Sequence, residues 1–483
     1  MPEKLKLSLA FRGKVPYNEK TTDLKGEIHV SDFRSQLADY VSSLGDDLKA
    51  CYAIDSNPYM ESNVKRGLRN ADGTGVLAGL TKVGSVQGYA VEDGAPVPVP
   101  GRLYYRGINV MDIVESHAAA GTFGYEEVSF LLLMGRLPTE EELSKFDEML
   151  SLARQLPDGF TEDMIIKAPS KNVMNKLARS VLALYSFDDN PDDISAENLI
   201  RQSILLIGAF PVIVANAYAV KRHYFDGKSL YIHVPREELS VSENFLRIVR
   251  QDKSYTEDEA HLLDIMLMLH AEHGAGNNSA FACRVLSSTG TDTYSAIAAA
   301  VGSLKGPLHG GASKAAVDMF YDIRDHLRDP HDDEELASYL GLILDGKAGD
   351  GSGKIYGLGH AIYTESDPRA ILLKKHAGIM AEAHGMEEDF RLMASIERVG
   401  GRVLQQRKNL PHPPCANVDM YSGLVYHMLR IPDDLLTPLF AIARISGWCA
   451  HRIEEVLTGG RLIRPAYRSA AVKQPYIPIE DRK

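Results

Sequence analysis

Histidine, arginine and aspartate gather in five short stretches of the C-terminal half, each punctuated by glycine or proline. The most informative is Lys305–Ser313, reading Lys-Gly-Pro-Leu-His-Gly-Gly-Ala-Ser. Pro307 cannot continue a preceding helix, because it lacks an N–H and clashes with the turn before it. Gly310 and Gly311 permit close approach of another group. From Ala312 the pattern is helical, with Ala316, Met319, Phe320 and Ile323 recurring on one face. His309 is thereby expected just ahead of a helix N-terminus, whose partial positive charge favours a neutral imidazole. A neutral ring can donate a hydrogen bond to a developing oxyanion without first losing a proton. Taken by itself, the stretch is equally a turn with an incidental histidine.

The other four stretches add groups that fit the same chemistry. His270–Asn277 reads His-Ala-Glu-His-Gly-Ala-Gly-Asn, with His270 and His273 one helical turn apart. A zincin site needs its two histidines four residues apart around a glutamate, and no third ligand stands nearby, so no metal is expected. His273 is better placed at a helix end, beside glycines that let a carboxylate approach. In Gly357–Arg369 the residues Gly357, Gly359, His360, Asp367 and Arg369 stand together. The Gly351–Lys354 segment just upstream looks like the end of a phosphate loop. Ala348 and Ile355 occupy the positions that need Gly and Ser/Thr, which rejects a nucleoside triphosphatase. Asp419 follows the Pro-rich break Pro411–Pro414 and suits either a base or a helix N-cap. Arg444 and Arg464 complete the set. Guanidinium groups match carboxylates with paired hydrogen bonds, so three arginines and two or three histidines suit a small polycarboxylate. One carboxylate and one neutral imidazole are the pair that enolises a thioester: the first takes the α-proton, the second holds the enolate oxygen.

These groups need a scaffold, and the pattern supplies helices. At 483 residues the chain exceeds one ordinary core, so two domains or a domain with a subdomain are expected. The net charge of −12, from 65 acidic and 53 basic residues, argues against a general nucleic-acid binder while leaving room for a local arginine cluster. Four scattered cysteines form no Cys-x-x-Cys, and the N-terminus has no apolar core of a secretory signal. Reduced thiols and a cytoplasmic location are expected. Leu77–Gly107 reads as strands and turns. From Val110 onward the chain reads as helices, among them Tyr125–Met134, Thr139–Leu152, Lys171–Tyr185, Ala196–Arg222, Ser242–Arg250 and Thr256–His273. Further helices are expected at Thr293–Leu304, Ser313–Leu327, Asp333–Leu344, Arg369–His384, Met386–Leu404 and Ser422–Leu429. Two more follow, Pro432–Ile445 and Gly447–Leu457; Phe33–Leu48 is an earlier one. The uncharged run Ser203–Val220 is long enough for a membrane span, but Pro211 and Asn216 and the lack of a second such run favour a buried helix. The fold class is all-α.

In order, these stretches resemble the citrate synthase family. His273 and Asn277 match its His-Gly with asparagine. Gly306–Gly311 matches Gly-Pro-x-His-Gly-Gly, and Gly357–His360 matches Gly-x-Gly-His. Asp367–Arg369 matches Asp-Pro-Arg, and Asn417–Gly423 matches Asn-Val-Asp with Ser-Gly. Upstream, Leu103–Gly107 resembles its Tyr-Arg-Gly, and the resemblance spans about residues 75–470.

The resemblance implies condensation of an acyl-CoA with oxaloacetate, then hydrolysis of the thioester. His309 would hold the thioester oxygen, Asp419 would be the base, and His360 would polarise the ketone and act as acid. His273, Asn277, Arg369, Arg444 and Arg464 would bind substrate, Arg464 reaching across from a second subunit of a homodimer. Lys354, Gly357 and Gly359 would contact the CoA, a co-substrate; no tightly bound cofactor is implied. The implied architecture is a large helical domain, 76–310 with 431–483, and a small domain, 311–430, that closes over the site; 1–75 match nothing. Ser203–Val220 would lie near the dimer interface. Ala361 and Thr364 stand where many bacterial relatives carry Arg and Lys, leaving Lys354, Lys374 and Lys375 as substitutes for holding the CoA phosphates. Cys415-Ala416 replaces the usual proline before Asn-Val-Asp. Acetyl-CoA and propionyl-CoA differ by one methylene, worth ~1–3 kcal/mol in a pocket, so citrate and 2-methylcitrate synthesis are both implied. A non-catalytic regulatory subunit is the third reading, although His309, His360 and Asp419 are all present.

Overall fold

The computed structural model describes residues 30–43, 52, 63–70, 74–92 and 95–482. Its contacts define two compact units, Leu77–Pro465 and Met1–Val76 with Ala466–Lys483. The second unit includes helix α1 (Val30–Ser43); the end of the expected helix Phe33–Leu48 lies outside the described residues. The expected segment 1–75 falls within this unit. The cuts expected at 311 and 430 both fall inside the first unit, beside helix ends.

The first unit opens on an antiparallel ribbon, β1 (Gly84–Glu92) and β2 (Ala95–Tyr105), with a short β3 (Ile108–Asn109) paired to the end of β2. Proline alternation in β2 is compatible with such an edge ribbon, and the register slips between Gln87 and Tyr89, at Gly88. Arg106 and Gly107 both take positive φ (50° and 89°), the geometry of a tight two-residue hairpin turn.

Helices follow: α2 (Val110–Ala120), α3 (Tyr125–Met134), α4 (Glu140–Leu152), α5 (Val173–Leu184), α6 (Ala196–Asp226), α7 (Val241–Val249) and α8 (Glu257–His270). Reciprocal Thr/Ser–Glu caps start α4, α7 and α8 and satisfy their first free N–H groups. Next come α9 (Asn278–Ser287), α10 (Thr293–Leu304), α11 (Ala312–His326), α12 (Asp333–Leu344), α13 (Pro368–His384), α14 (Glu387–Lys408), α15 (Val418–Met428) and α16 (Leu436–Leu457). The chain is thus mainly α, as its pattern predicts. Most side chains of Ser203–Val220 are buried within α6, Pro211 included, so this apolar run is a core helix.

Three expectations are corrected. Helix α8 stops at His270, so His273 stands beyond its end. Helix α15 begins at Val418 instead of Ser422, because the Asn417 side chain accepts the Asp419 N–H at 2.9 Å and caps it; Asp419 is therefore in the first turn and is not the cap. The two helices expected on either side of Ser446 are one, α16. A Cβ at Gly447 would lie 2.4 Å from the Ala271 carbonyl oxygen, so this glycine serves close packing of the α8 end onto α16. Helices α2 and α9 lie in the stretch from Val110 onward that reads as helical, without bounds of their own.

Candidate active site

Four of the stretches, with Arg444 of the fifth, converge through three junctions: the end of α8, the turn before α11, and the loop leading into α13. At the first, His270 is fully buried, its Nδ1 hydrogen bonded to the Met266 carbonyl at 2.6 Å; burial holds its pKa at about 3. His273 is also buried. Desolvation, then the positive field of Arg369, keeps its pKa well below the usual histidine value, so the ring is neutral. Its Nε2 has no hydrogen-bond partner. Asn277 caps α9, accepting from the Ser279 N–H at 3.2 Å and its hydroxyl at 2.8 Å.

That serine reaches the second junction. His309 Nε2 lies 3.1 Å from Ser279 Oγ, which accepts from the Trp448 indole at 3.1 Å. When the serine turns its one proton from Asn277 Oδ1 to His309 Nε2, the neutral ring carries its own proton on Nδ1, the nitrogen available to a ligand. The pKa of His309 is lowered to about 4, first by burial and then by Arg444. The ring is neutral, as expected from the sequence, with burial the first cause. Four residues on, Ser313 Oγ donates to Asp419 Oδ1 at 2.5 Å and lies 3.0 Å from the Ser422 hydroxyl. Burial raises the Asp419 pKa, the Ser313 hydrogen bond and the Arg369 charge opposing it. A carboxylate held slightly too basic for its surroundings is a fit proton acceptor.

In the third junction, Gly357–Gly359 pairs antiparallel with Cys415–Asn417, through Gly359 N to Cys415 O at 2.8 Å and Asn417 N to Gly357 O at 2.9 Å. A Cβ at Gly357 would come within 2.8 Å of the Met420 backbone, so glycine is what lets this loop lie on the first turn of α15. The Cys415-Ala416 pair is built into the same ladder. His360 Nδ1 accepts the Ile362 and Tyr363 N–H groups at 3.0 and 3.1 Å. The neutral ring therefore carries its proton on Nε2, a hydrogen-bond donor. His360 packs edge-on against His273, ring centroids 5.2 Å apart.

Arg369 is buried and forked onto Asp367, Nε to Oδ1 at 3.0 Å and Nη2 to Oδ2 at 2.7 Å, an ion pair that raises its pKa despite burial. Arg444 is buried, with its pKa drawn down to about 10 by desolvation. Its Nε donates to the His270 carbonyl at 2.6 Å, and its Nη1 has no partner. Arg464 does not join this cluster; it is exposed beyond the end of α16. Lys374 and Lys375 are engaged by Glu397 and Glu115, at 2.6 Å each. Exposed Lys354 lines a separate 340 Å³ cavity with Asp318, Asp322 and Asp350. Among the described residues no three His, Cys, Asp or Glu side chains gather as a metal site requires.

Four participants were not read from the sequence: Ser279, Ser313, Glu272 and Tyr363. Glu272 is fully buried against His451 at 2.9 Å. Tyr363, 2% exposed, packs on His360 and His273, with centroids 4.6 and 5.6 Å apart, and lies under the Arg369 guanidinium at 5.6 Å. The serines carry no signal beyond a small polar residue near a glycine turn. Tyr363 sits inside the Gly357–Arg369 motif, and its aromatic type there was the available clue.

A carboxylate, neutral imidazoles and buried guanidinium groups thus meet at loop–helix junctions of an all-α fold, the groups that an enolising condensation on a polycarboxylate uses. Residues 71–466 match the family model described as "Citrate synthase, C-terminal domain". The citrate synthase of Deinococcus radiodurans is 35% identical over 425 residues, 87% of this chain and all of that protein. A 2-methylcitrate synthase of Corynebacterium glutamicum is 32% identical over 429 residues, 87% of this chain and 99% of its own length. The structure of Thermoplasma acidophilum citrate synthase in complex with carboxymethyl coenzyme A and oxaloacetate superposes with a TM-score of 0.71 at 28% identity, covering 87% of this chain and 99% of that one. The chain belongs to the citrate synthase family.

Proposed function

We propose that the protein condenses acetyl-CoA with oxaloacetate and hydrolyses the resulting thioester to citrate and free CoA. Asp419 removes the methyl proton, and His309 donates a hydrogen bond to the thioester oxygen as the enolate forms. His360, its proton on Nε2, polarises the ketone that the enolate attacks and acts as acid toward the new alkoxide. His273, Arg369 and Arg444 hold the carboxylates, Asn277 orients the Ser279–His309 pair, and Arg464 completes the site from a second subunit of a homodimer. Residues 311–430 act as a small domain closing over the site; Gly357 and Gly359 line the path of the CoA.

What supports this reading most is the pairing of a carboxylate of raised pKa, Asp419, with a neutral histidine, His309, each held by a serine, beside unpartnered donors of His273 and Arg444. Enolisation needs the first two together and a dicarboxylate needs the others. Release of CoA thiol, measured with oxaloacetate from acetyl-CoA and propionyl-CoA in parallel, tests it. Faster turnover of acetyl-CoA is expected. A propionyl-CoA preference would assign 2-methylcitrate synthesis, a reading favoured by the 2-methylcitrate synthases among the relatives. Release from neither would leave only a regulatory subunit. The Asp419→Ala variant should lose turnover by about 10²–10⁴-fold and keep oxaloacetate binding; undiminished turnover would remove Asp419 from the role of base.

A further inference from the structure

Tyr363 is held more firmly than a loop tyrosine needs to be. Its own N–H is bonded to His360 Nδ1, and its Cδ1 lies 2.6 Å from where a Cβ on Gly101 would stand. The ribbon glycine Gly88 leaves room for the Tyr363 backbone, whose Cα would be 2.6 Å from a Cβ there. Thr364 Oγ1 donates to the Gly88 carbonyl, and Gly101 N donates to Ser366 Oγ at 3.1 Å. The ring is thus pinned between the β1–β2 ribbon and the faces of His273, His360 and Arg369.

Its hydroxyl, by contrast, is sealed from solvent and bonded to nothing. Buried hydroxyls of folded proteins are ordinarily satisfied, so this one calls for a partner. The unsatisfied nitrogens of the same cluster, His273 Nε2 and Arg444 Nη1, are on groups that can donate. Of the nearby carboxylates, Asp367 grips Arg369 with both oxygens. Glu272 Oε1 takes His451 and the Gly274 N–H, and its Oε2 has no hydrogen-bond partner, so it satisfies none of these donors. An anionic acceptor from outside the chain would meet all of them at once.

We propose that Tyr363 is a substrate-binding residue whose phenol donates a hydrogen bond to a carboxylate of the keto dicarboxylate substrate. The assignment rests on oxaloacetate being that substrate. Burial raises the phenol's pKa, so it remains a donor throughout the working pH range. The hydroxyl supplies a directional contact that charge alone does not.

The full-length protein and its Tyr363→Phe variant are compared by calorimetric titration with oxaloacetate, by thermal unfolding with and without it, and by CoA release. The variant should bind oxaloacetate at least about tenfold more weakly, with KM raised in step and kcat changed by less than about threefold. Without ligand it should melt at or above the wild-type temperature, because an unsatisfied buried hydroxyl has been removed. Equal affinity in the two proteins would overturn the proposal. So would a ligand-free variant melting well below wild type, which would mean the hydroxyl serves the fold. Failure of the wild-type protein itself to bind oxaloacetate would overturn the functional reading, and this proposal with it.

Discussion

Asp419 stands under opposed influences: burial raises its pKa, and the Ser313 hydrogen bond and, after it, the Arg369 charge lower it. Removing the hydroxyl leaves desolvation less opposed, so the carboxyl becomes harder to ionise. In Ser313→Ala the acid limb of the kcat/KM profile should therefore move to higher pH, with the plateau falling less than in Asp419→Ala. An unmoved limb would show that Ser313 does not set this basicity. At this scale the reactive types were legible: His309, His360 and Asp419 announce themselves by glycine- and proline-framed positions. Their partners were not. Ser313, Ser279 and Tyr363 are ordinary residue types whose meaning arises only when chain segments 30 to 106 residues apart meet. The ion pair between Asp367 and Arg369 is the exception, two residues apart around Pro368 at the start of α13.

The β1–β2 ribbon is the element that fixes the loop bearing His360 and Tyr363. It does so by backbone approach at Gly88 and Gly101. A Cβ at Gly101 would fall 2.0 Å from the Ser366 carbonyl oxygen, a contact that cannot be relieved by rotating a side chain. Gly101→Ala should push the loop off the ribbon and lower kcat/KM for oxaloacetate by about 10²-fold, as misplacement near 1 Å does elsewhere. The control is Gly302→Ala in α10, where a Cβ meets nothing within 4 Å and helix propensity improves. Activity of Gly101→Ala equal to the control's would separate the ribbon from the site. Helices with regular apolar spacing, such as α11 and α14, were legible nearly to their ends. Helix α9, beginning Asn-Ser-Ala-Phe-Ala-Cys, has too few large apolar residues to show a period. Gly447 read as a break because the sequence does not tell a glycine that ends a helix from one that lets another segment touch it.

Across the molecule, the site is backed by a buried charged layer that ties distant parts of the chain together. Glu272 pairs with His451 of α16, and Arg284 of α9 bonds Glu454 and, at 2.7 Å, Glu455. Glu454 in turn receives the Thr81 hydroxyl and the Lys82 N–H, each at 2.7 Å. Nothing in composition or spacing forecasts this layer, since each member is a common charged residue on a different segment. Burial by itself would raise the Glu272 pKa, but His451, Arg444 and the Gly274 N–H outweigh it, and the net shift is downward. A carboxyl whose folded pKa is depressed contributes stability above its unfolded pKa, near 4.5, and loses that contribution as pH falls through the folded value. Glu272→Gln removes the charge that accepts from His451 Nε2 and the Gly274 N–H, at a cost of about 1.5–3 kcal/mol near pH 7. The gap in unfolding free energy between wild type and variant should hold steady above about pH 5 and narrow in more acid solution, where the wild-type carboxyl is itself neutralised. Glu454, also depressed, titrates alike in both proteins and cancels from the difference. Denaturant unfolding at stepped pH measures that gap. A gap that widens toward acid would reverse the sign assigned to Glu272, and no gap at neutral pH would mean that this layer does not hold the α8 end against α16.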